Sequence, residues 1–96
     1  AFIFMEVSEM PSRLGVIGIV VEDMEVVPRV NQILSHHSQI IVGRMGIPYR
    51  QRGVSVIALI IDGDTDEIGS LTGKLGSLKG VSVKSALTTR QYPDGG

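Results

Sequence analysis

Two stretches of the chain, Val16-Ile17-Gly18-Ile19-Val20-Val21 and Val54-Ser55-Val56-Ile57-Ala58-Leu59-Ile60-Ile61, are apolar at nearly every position. Side chains of a strand alternate between two faces, so each run needs cover above and below. Elsewhere the period changes. Glu22-Asp23-Met24-Glu25 is an acidic helix opening, and Val26, Val30, Ile33, Leu34 and His37 then recur at helical spacing to about residue 37. Pro28 fits that helix only in its first turn. A second strand is expected over roughly 39–47, ending at Pro48, with Pro48 to Gly53 as a hairpin loop into a third strand at 54–61. Asp64 and Glu67 have the spacing of a capping box, and Ile68, Leu71, Leu75 and Leu78 form the apolar stripe of the helix it opens. Gly80 is expected to stop that helix, and Val81 to Leu87 alternates as a last strand.

The order βαββαβ predicts an α+β, ferredoxin-like domain. Its four-stranded antiparallel sheet has the order 4-1-3-2, with both helices on one face. The two most apolar runs become the central strands, and the edges carry Arg44 and Lys84, where charge blunts unwanted pairing. The helices cover one face only. The other is expected to be covered by a second copy in a homodimer or homotetramer, with Val16 and Val56 among the contact residues. The domain is placed at 14–88, behind an arm at 1–13 and before a polar, turn-rich tail at 89–96.

The second helix carries a further pattern. Gly69, Gly73 and Gly76 form a stripe centred roughly 150° from the apolar one. Each costs on the order of 1 kcal/mol against Ala in a helix interior, which points to close approach of another subunit or a ligand rather than a merely tolerant surface.

Composition narrows the function. The hydrophobic fraction is 43% and the aromatic fraction 4%, so Val, Ile and Leu must build the core. A net charge of −1 argues against nucleic acid as a direct partner. RNA-binding domains of this topology stack bases on strand aromatics, which the inner strands lack. There is no cysteine, which removes disulfides, thiolate metal sites and a cysteine nucleophile, and fits a cytoplasmic setting. The opening apolar run is too short to span a bilayer, so no membrane association is expected.

Glu67-Ile68-Gly69-Ser70-Leu71-Thr72-Gly73-Lys74-Leu75-Gly76-Ser77-Leu78-Lys79-Gly80-Val81-Ser82-Val83-Lys84 resembles the family of small regulators of the iron-only hydrogenase system. Val20-Val21-Glu22-Asp23, Ile33-Leu34, Val42-Gly43-Arg44-Met45-Gly46-Ile47-Pro48 and Ser55-Val56-Ile57-Ala58-Leu59 match in the same order, over about residues 14–88. The resemblance implies a domain similar to amino-acid-binding ACT modules and to the C-terminal half of the nickel-responsive repressor, assembled as dimers or tetramers. About thirteen residues precede the first strand, too few for a ribbon-helix-helix segment, so any control of transcription is expected to be indirect.

Several residues are candidates for chemistry. Arg44, Arg50 and Arg52 fall in nine residues free of acid and, with Tyr49 and the Glu22-Asp23 loop, suggest a site for an anion or small carboxylate. That loop lacks the glycine of amino-acid-binding ACT modules. His36 and His37 are weak metal candidates, because neighbouring helical residues point about 100° apart. Both also complement the negative end of a helix. A carboxylate from 62–66 is expected at the same end of the sheet. Asp62-Gly63-Asp64-Thr65-Asp66 opens like a calcium loop, but Glu67 stands where glycine is needed and Gly73 where the bidentate glutamate is needed, so helix capping explains it. No acid–base pair or nucleophile constellation emerges, and no enzyme activity, cofactor or resident metal is assigned. The reading is a cytoplasmic regulatory or ligand-sensing module that works as an oligomer with a small-molecule effector. The alternative is a ligand-free interaction module that serves as assembly partner of a larger regulator or maturation protein.

Overall fold

The two apolar runs pair with each other at the centre of the sheet. β1 (Arg13–Val21) and β3 (Val54–Gly63) lie antiparallel, from Arg13 opposite Gly63 to Val21 opposite Ser55. β4 (Val81–Leu87) pairs with the free side of β1, and β2 (Ile41–Tyr49) with the free side of β3. The computed structural model describes residues 12–88, and within them the strand order is β2-β3-β1-β4, the expected 4-1-3-2 read from the other edge. Ser12 and Arg13 apart, the expected arm lies outside the described residues, as does the expected tail.

Alternation decides the core. Ile17, Ile19 and Val21 of β1 and Ile57, Leu59 and Ile61 of β3 point to one side and are buried. Onto them pack α1 (Val27–His36), through Val30, Ile33 and Leu34, and α2 (Thr65–Gly76), through Ile68, Leu71 and Leu75. Every buried side chain described is aliphatic. At about 1.5–3 kcal/mol for each such side chain removed from water, this one layer is the main stabilising contribution.

Local chemistry sets the helix ends. Asp23 caps a 3-10 turn at Met24–Val26 by accepting from Glu25 N, and α1 proper starts after it with Pro28 in its first turn. The lost N–H of proline has no partner to lose there. The capping box of α2 is complete: Glu67 N donates to Asp64 Oδ1 at 2.7 Å, and Asp64 N donates to Glu67 Oε1 at 3.0 Å. Gly80 does not stop α2, which already ends at Gly76 with Ser77 as its cap. Gly80 instead turns the chain into β4 with φ of +75°, a region that glycine enters without strain.

β2 departs most from expectation. It runs through Pro48 to Tyr49, because an edge strand pairs on one side only and tolerates a missing donor. Its register slips between Ile41 and Gly43, leaving Val42 as a bulge. Ile41 pairs with buried Ile61, whereas Gly43 pairs with Ile60 on the opposite face. Beyond the bulge the alternation is inverted. Met45, Ile47 and Tyr49 join the face without helices, while Arg44 goes to the helix side.

Candidate functional site

The face without helices is a continuous apolar surface. Across it run Leu14 and Val16 from β1, Val56 and Ile60 from β3, and Met45, Ile47 and Tyr49 from β2, each between 41% and 61% exposed. At its middle, small residues (Gly43, Ala58) lie between Val16, Met45 and Ile60 and leave a shallow groove of about 200 Å³. A second groove of about 390 Å³ lies beside Leu14, Val16 and Ile60 and reaches Ala86 on β4. The charges of this face lie at its margins: Lys84, which pairs with Gly18 in the β1–β4 register, and Asp62, which pairs with Leu14 near the end of β3. Patches of this kind mark binding surfaces more often than chance exposure does. The expected contact residues Val16 and Val56 both lie here.

The six residues named for an anion site do not converge on one pocket. Glu22 and Asp23 follow β1, and Glu22 N donates to Gly80 O at 2.7 Å, tying this loop to the start of β4. Asp23 also fills the space where a side chain at Gly80 would stand. Arg50 and Arg52 form the 3-10 turn between β2 and β3, at the same end of the sheet but across β3 from that loop. Tyr49 lies on the apolar face, paired with Val54. Arg44 lies on the other face, where its guanidinium donates to Asn31 Oδ1 of α1 at 3.4 Å.

The C-terminus of α1 and the N-terminus of α2 enclose a more polar cleft of about 350 Å³, lined by His36, His37, Gln39, Asp66, Glu67 and Ser70. The first turn of α2 therefore does bring carboxylates beside the histidines, Asp66 among them. His37 Nδ1 is 2.8 Å from Ile33 O, and a carbonyl can only accept, so Nδ1 carries the proton. In the neutral ring Nε2 is then the acceptor, 3.4 Å from Ser70 Oγ. Among the described residues no three His, Asp or Glu side chains are grouped to hold a metal ion. Glu67 is already held in its capping box. Ser70 sits mid-helix, where neighbouring N–H groups belong to the helical ladder and offer no donors to an oxyanion.

Gly69, Gly73 and Gly76 all lie on the exposed side of α2, and a Cβ built on any of them meets no described residue within 4 Å. Nothing in the described part of this chain requires glycine there.

Sequence reasoning named Val16 and Val56 on the apolar face but missed Leu14, Met45, Ile47 and Ile60. Alternation alone was enough to find Leu14 and Ile60. Met45 and Ile47 reach that face only through the Val42 bulge, which leaves no mark in the hydrophobic pattern. Ser70 was also missed; its one signal was its place a turn beyond Glu67.

A family model described as "TM1266-like: Iron-only hydrogenase system regulator, putative" matches residues 13–85. The solved structure of the uncharacterized protein TM1266 from Thermotoga maritima is 40% identical and superimposes with a TM-score of 0.77, covering 81% of this chain and 99% of that one. Two more distant structures share the fold alone. A formyltetrahydrofolate deformylase from Pseudomonas putida KT2440 is 13% identical with a TM-score of 0.56, over 76% of this chain and 28% of that one. The nitrogen regulatory PII-like protein CPII from Thiomonas intermedia K12 is 12% identical with a TM-score of 0.52, over 84% and 92%. No curated relative matches the chain at a significant level.

Proposed function

Because the chain belongs to the TM1266-like family of iron-only hydrogenase system regulators, we propose that it is a cytoplasmic regulatory module that works as a homo-oligomer. Its apolar sheet face is covered by a second copy. A small-molecule effector, bound where copies meet, selects one subunit arrangement over another. The observation that carries this reading is the helix-free face, seven large apolar side chains wide among the described residues. Covering the exposed halves of two such sets is worth on the order of 10–20 kcal/mol by area, against roughly 4–15 kcal/mol for association. Over most of these ranges the balance favours association on this face.

The effector class follows from the sheet end that carries Arg50, Arg52 and Tyr49. Two guanidiniums on an exposed turn suit an anion or small carboxylate, and Tyr49 extends from that turn onto the covered face. The protein acts by binding and not by catalysis. The Ser70–His37 contact is long, and no oxyanion donors converge on it.

Two measurements test the proposal. Light scattering should give a mass at least twice the 10.3 kDa of one chain at micromolar concentration. A thermal-shift screen with amino acids, nucleotides and divalent metals should raise the melting midpoint for one class of anion, because a ligand that binds only the folded form must stabilise it. A monomer would overturn the assembly. A flat screen from an oligomer would overturn the sensing role and favour an interaction module.

A further inference from the structure

The two edges of the sheet are not guarded alike. β2 is blunted by the bulge at Val42 and by Pro48 within the strand. β4 has neither device and only Lys84 as an edge charge, and its pairing with β1 is regular from Leu87 to Val81. The phase of that ladder is fixed at both ends. Glu22 N donates to Gly80 O at 2.7 Å, and Thr88 N donates to Leu14 O at 2.9 Å. Hydrogen-bonded pairs recur at every second residue of an antiparallel ladder, so Ser82, Lys84 and Ala86 turn their backbone groups toward β1. Val81, Val83, Ser85 and Leu87 turn theirs outward. Val81 N is already used by Leu78 O. Among the described residues, Val83, Ser85 and Leu87 are left presenting three N–H and three C=O groups along an unpaired edge.

Above this edge lies α2, which packs on β4. Ser70, close to His37, marks the flank of α2 that faces α1. By the helical period, Thr65, Gly69, Thr72 and Gly76 lie on the opposite flank, the one over the β4 edge. Among the described residues, nothing lies within 4 Å of a Cβ built on Gly69 or Gly76.

We infer that β4 is a second self-association edge: two copies join β4 to β4 about a two-fold axis through Ser85, giving a continuous eight-stranded sheet with the α2 helices side by side. The occupant is argued from spacing and register. Adjacent strands lie about 4.8 Å apart, so a copy paired on β4 brings its own α2 to within about 8–10 Å of this one, the distance of packed helices. A flank of Gly and Thr, bearing no large side chain, leaves room for that approach. A lone peptide strand would satisfy the edge but leave that flank bare, whereas this chain carries a strand and a helix with matching spacing. Centring on Ser85 pairs Val83 with Leu87 of the partner subunit and uses all three outward donors. It also sets Lys84 opposite Ala86 of the partner subunit, so like charges do not meet. The inference stands apart from the apolar face: the edge joins copies laterally and leaves that face free.

Two variants test it, with the full chain. Gly69→Arg adds a good helix former where the isolated fold has open space, so the fold persists while the helices can no longer approach. Ser85→Pro removes an outward donor that the fold does not use. Each should halve the mass seen by sedimentation. In the wild type, the Val83, Ser85 and Leu87 amides should exchange slowly in a concentration-dependent way, and quickly in Gly69→Arg. Unchanged mass in Gly69→Arg, fast exchange at these amides in wild type, or protection that persists in a monomer would each overturn the inference. The last would show an edge covered from within the chain. An apolar-face variant, Ile60→Lys, separates the two interfaces. If only the face assembles, it gives a monomer and Gly69→Arg changes nothing; if only the edge assembles, the effects are reversed.

Discussion

At the residue scale, three glycines separate three uses of the same absent side chain. Gly73 lies on the open crest of α2, where a Cβ meets nothing. Gly73→Ala should stabilise the fold by about 0.5–1 kcal/mol, because Ala confines the helix at lower entropic cost. For a domain of this size that raises the melting midpoint by roughly 2–8 °C. Gly53 closes the turn before β3 with φ of +67° but has open space around it. Gly53→Ala should therefore cost only the left-handed strain, about 1–2 kcal/mol. Gly80 combines φ of +75° with Asp23 Cβ at 2.7 Å and Asp23 N at 3.1 Å from the added atom. Gly80→Ala must displace the loop that follows β1 as well as strain the turn, and should be the most damaging of the three. Melting curves of the three variants check both the signs and the order. A drop for Gly73→Ala would mean that α2 is covered along its crest.

At the scale of elements, what could be read from the sequence followed how local each cause was. The Asp64–Glu67 box is a four-residue signal, and both of its reciprocal bonds form. Asp64→Ala should cost about 1 kcal/mol, while Asp64→Asn, which keeps an acceptor, should cost only a few tenths; urea midpoints at constant slope decide. The central strands were equally legible, because a run apolar on both faces has few places to go other than the middle of a sheet. The start of α1 was not, because Asp23 caps a 3-10 turn that the helical period does not distinguish from a first turn. The face of Arg44 was not either. One bulged residue inverts every side chain beyond it, and a bulge is settled by pairing between strands rather than by composition. The proposed anion site was therefore legible as a set of residue types near one end of the sheet, but not as a geometry. The Arg44 it borrowed is engaged with Asn31 on the helix side.

At the scale of the molecule, the Val42 bulge has its largest effect on the apolar face. Strict alternation from Ile41 would have set Val42, Arg44, Gly46 and Pro48 on the helix-free side, a strip interrupted by charge. The bulge replaces it with Met45, Ile47 and Tyr49, so that β2, β3 and β1 form one apolar surface whose charges, Asp62 and Lys84, lie at the end of β3 and at the far β4 edge. A strand that only needed to close the sheet had no use for this inversion. It becomes intelligible if the face must be apolar out to β2, as a second copy would require. Ile60 stands near the centre, between Val16 and Gly43, and is 49% exposed. Ile60→Lys should then affect the fold and the assembly very differently. In a single copy the ammonium reaches water and the loss is small; in a covered face it is desolvated without a partner, at a cost of several kcal/mol. The far-ultraviolet spectrum should be unchanged, the mass should fall, and the melting midpoint should depend less on protein concentration. If the mass were unchanged, a copy of this chain would not be what covers the greasy face.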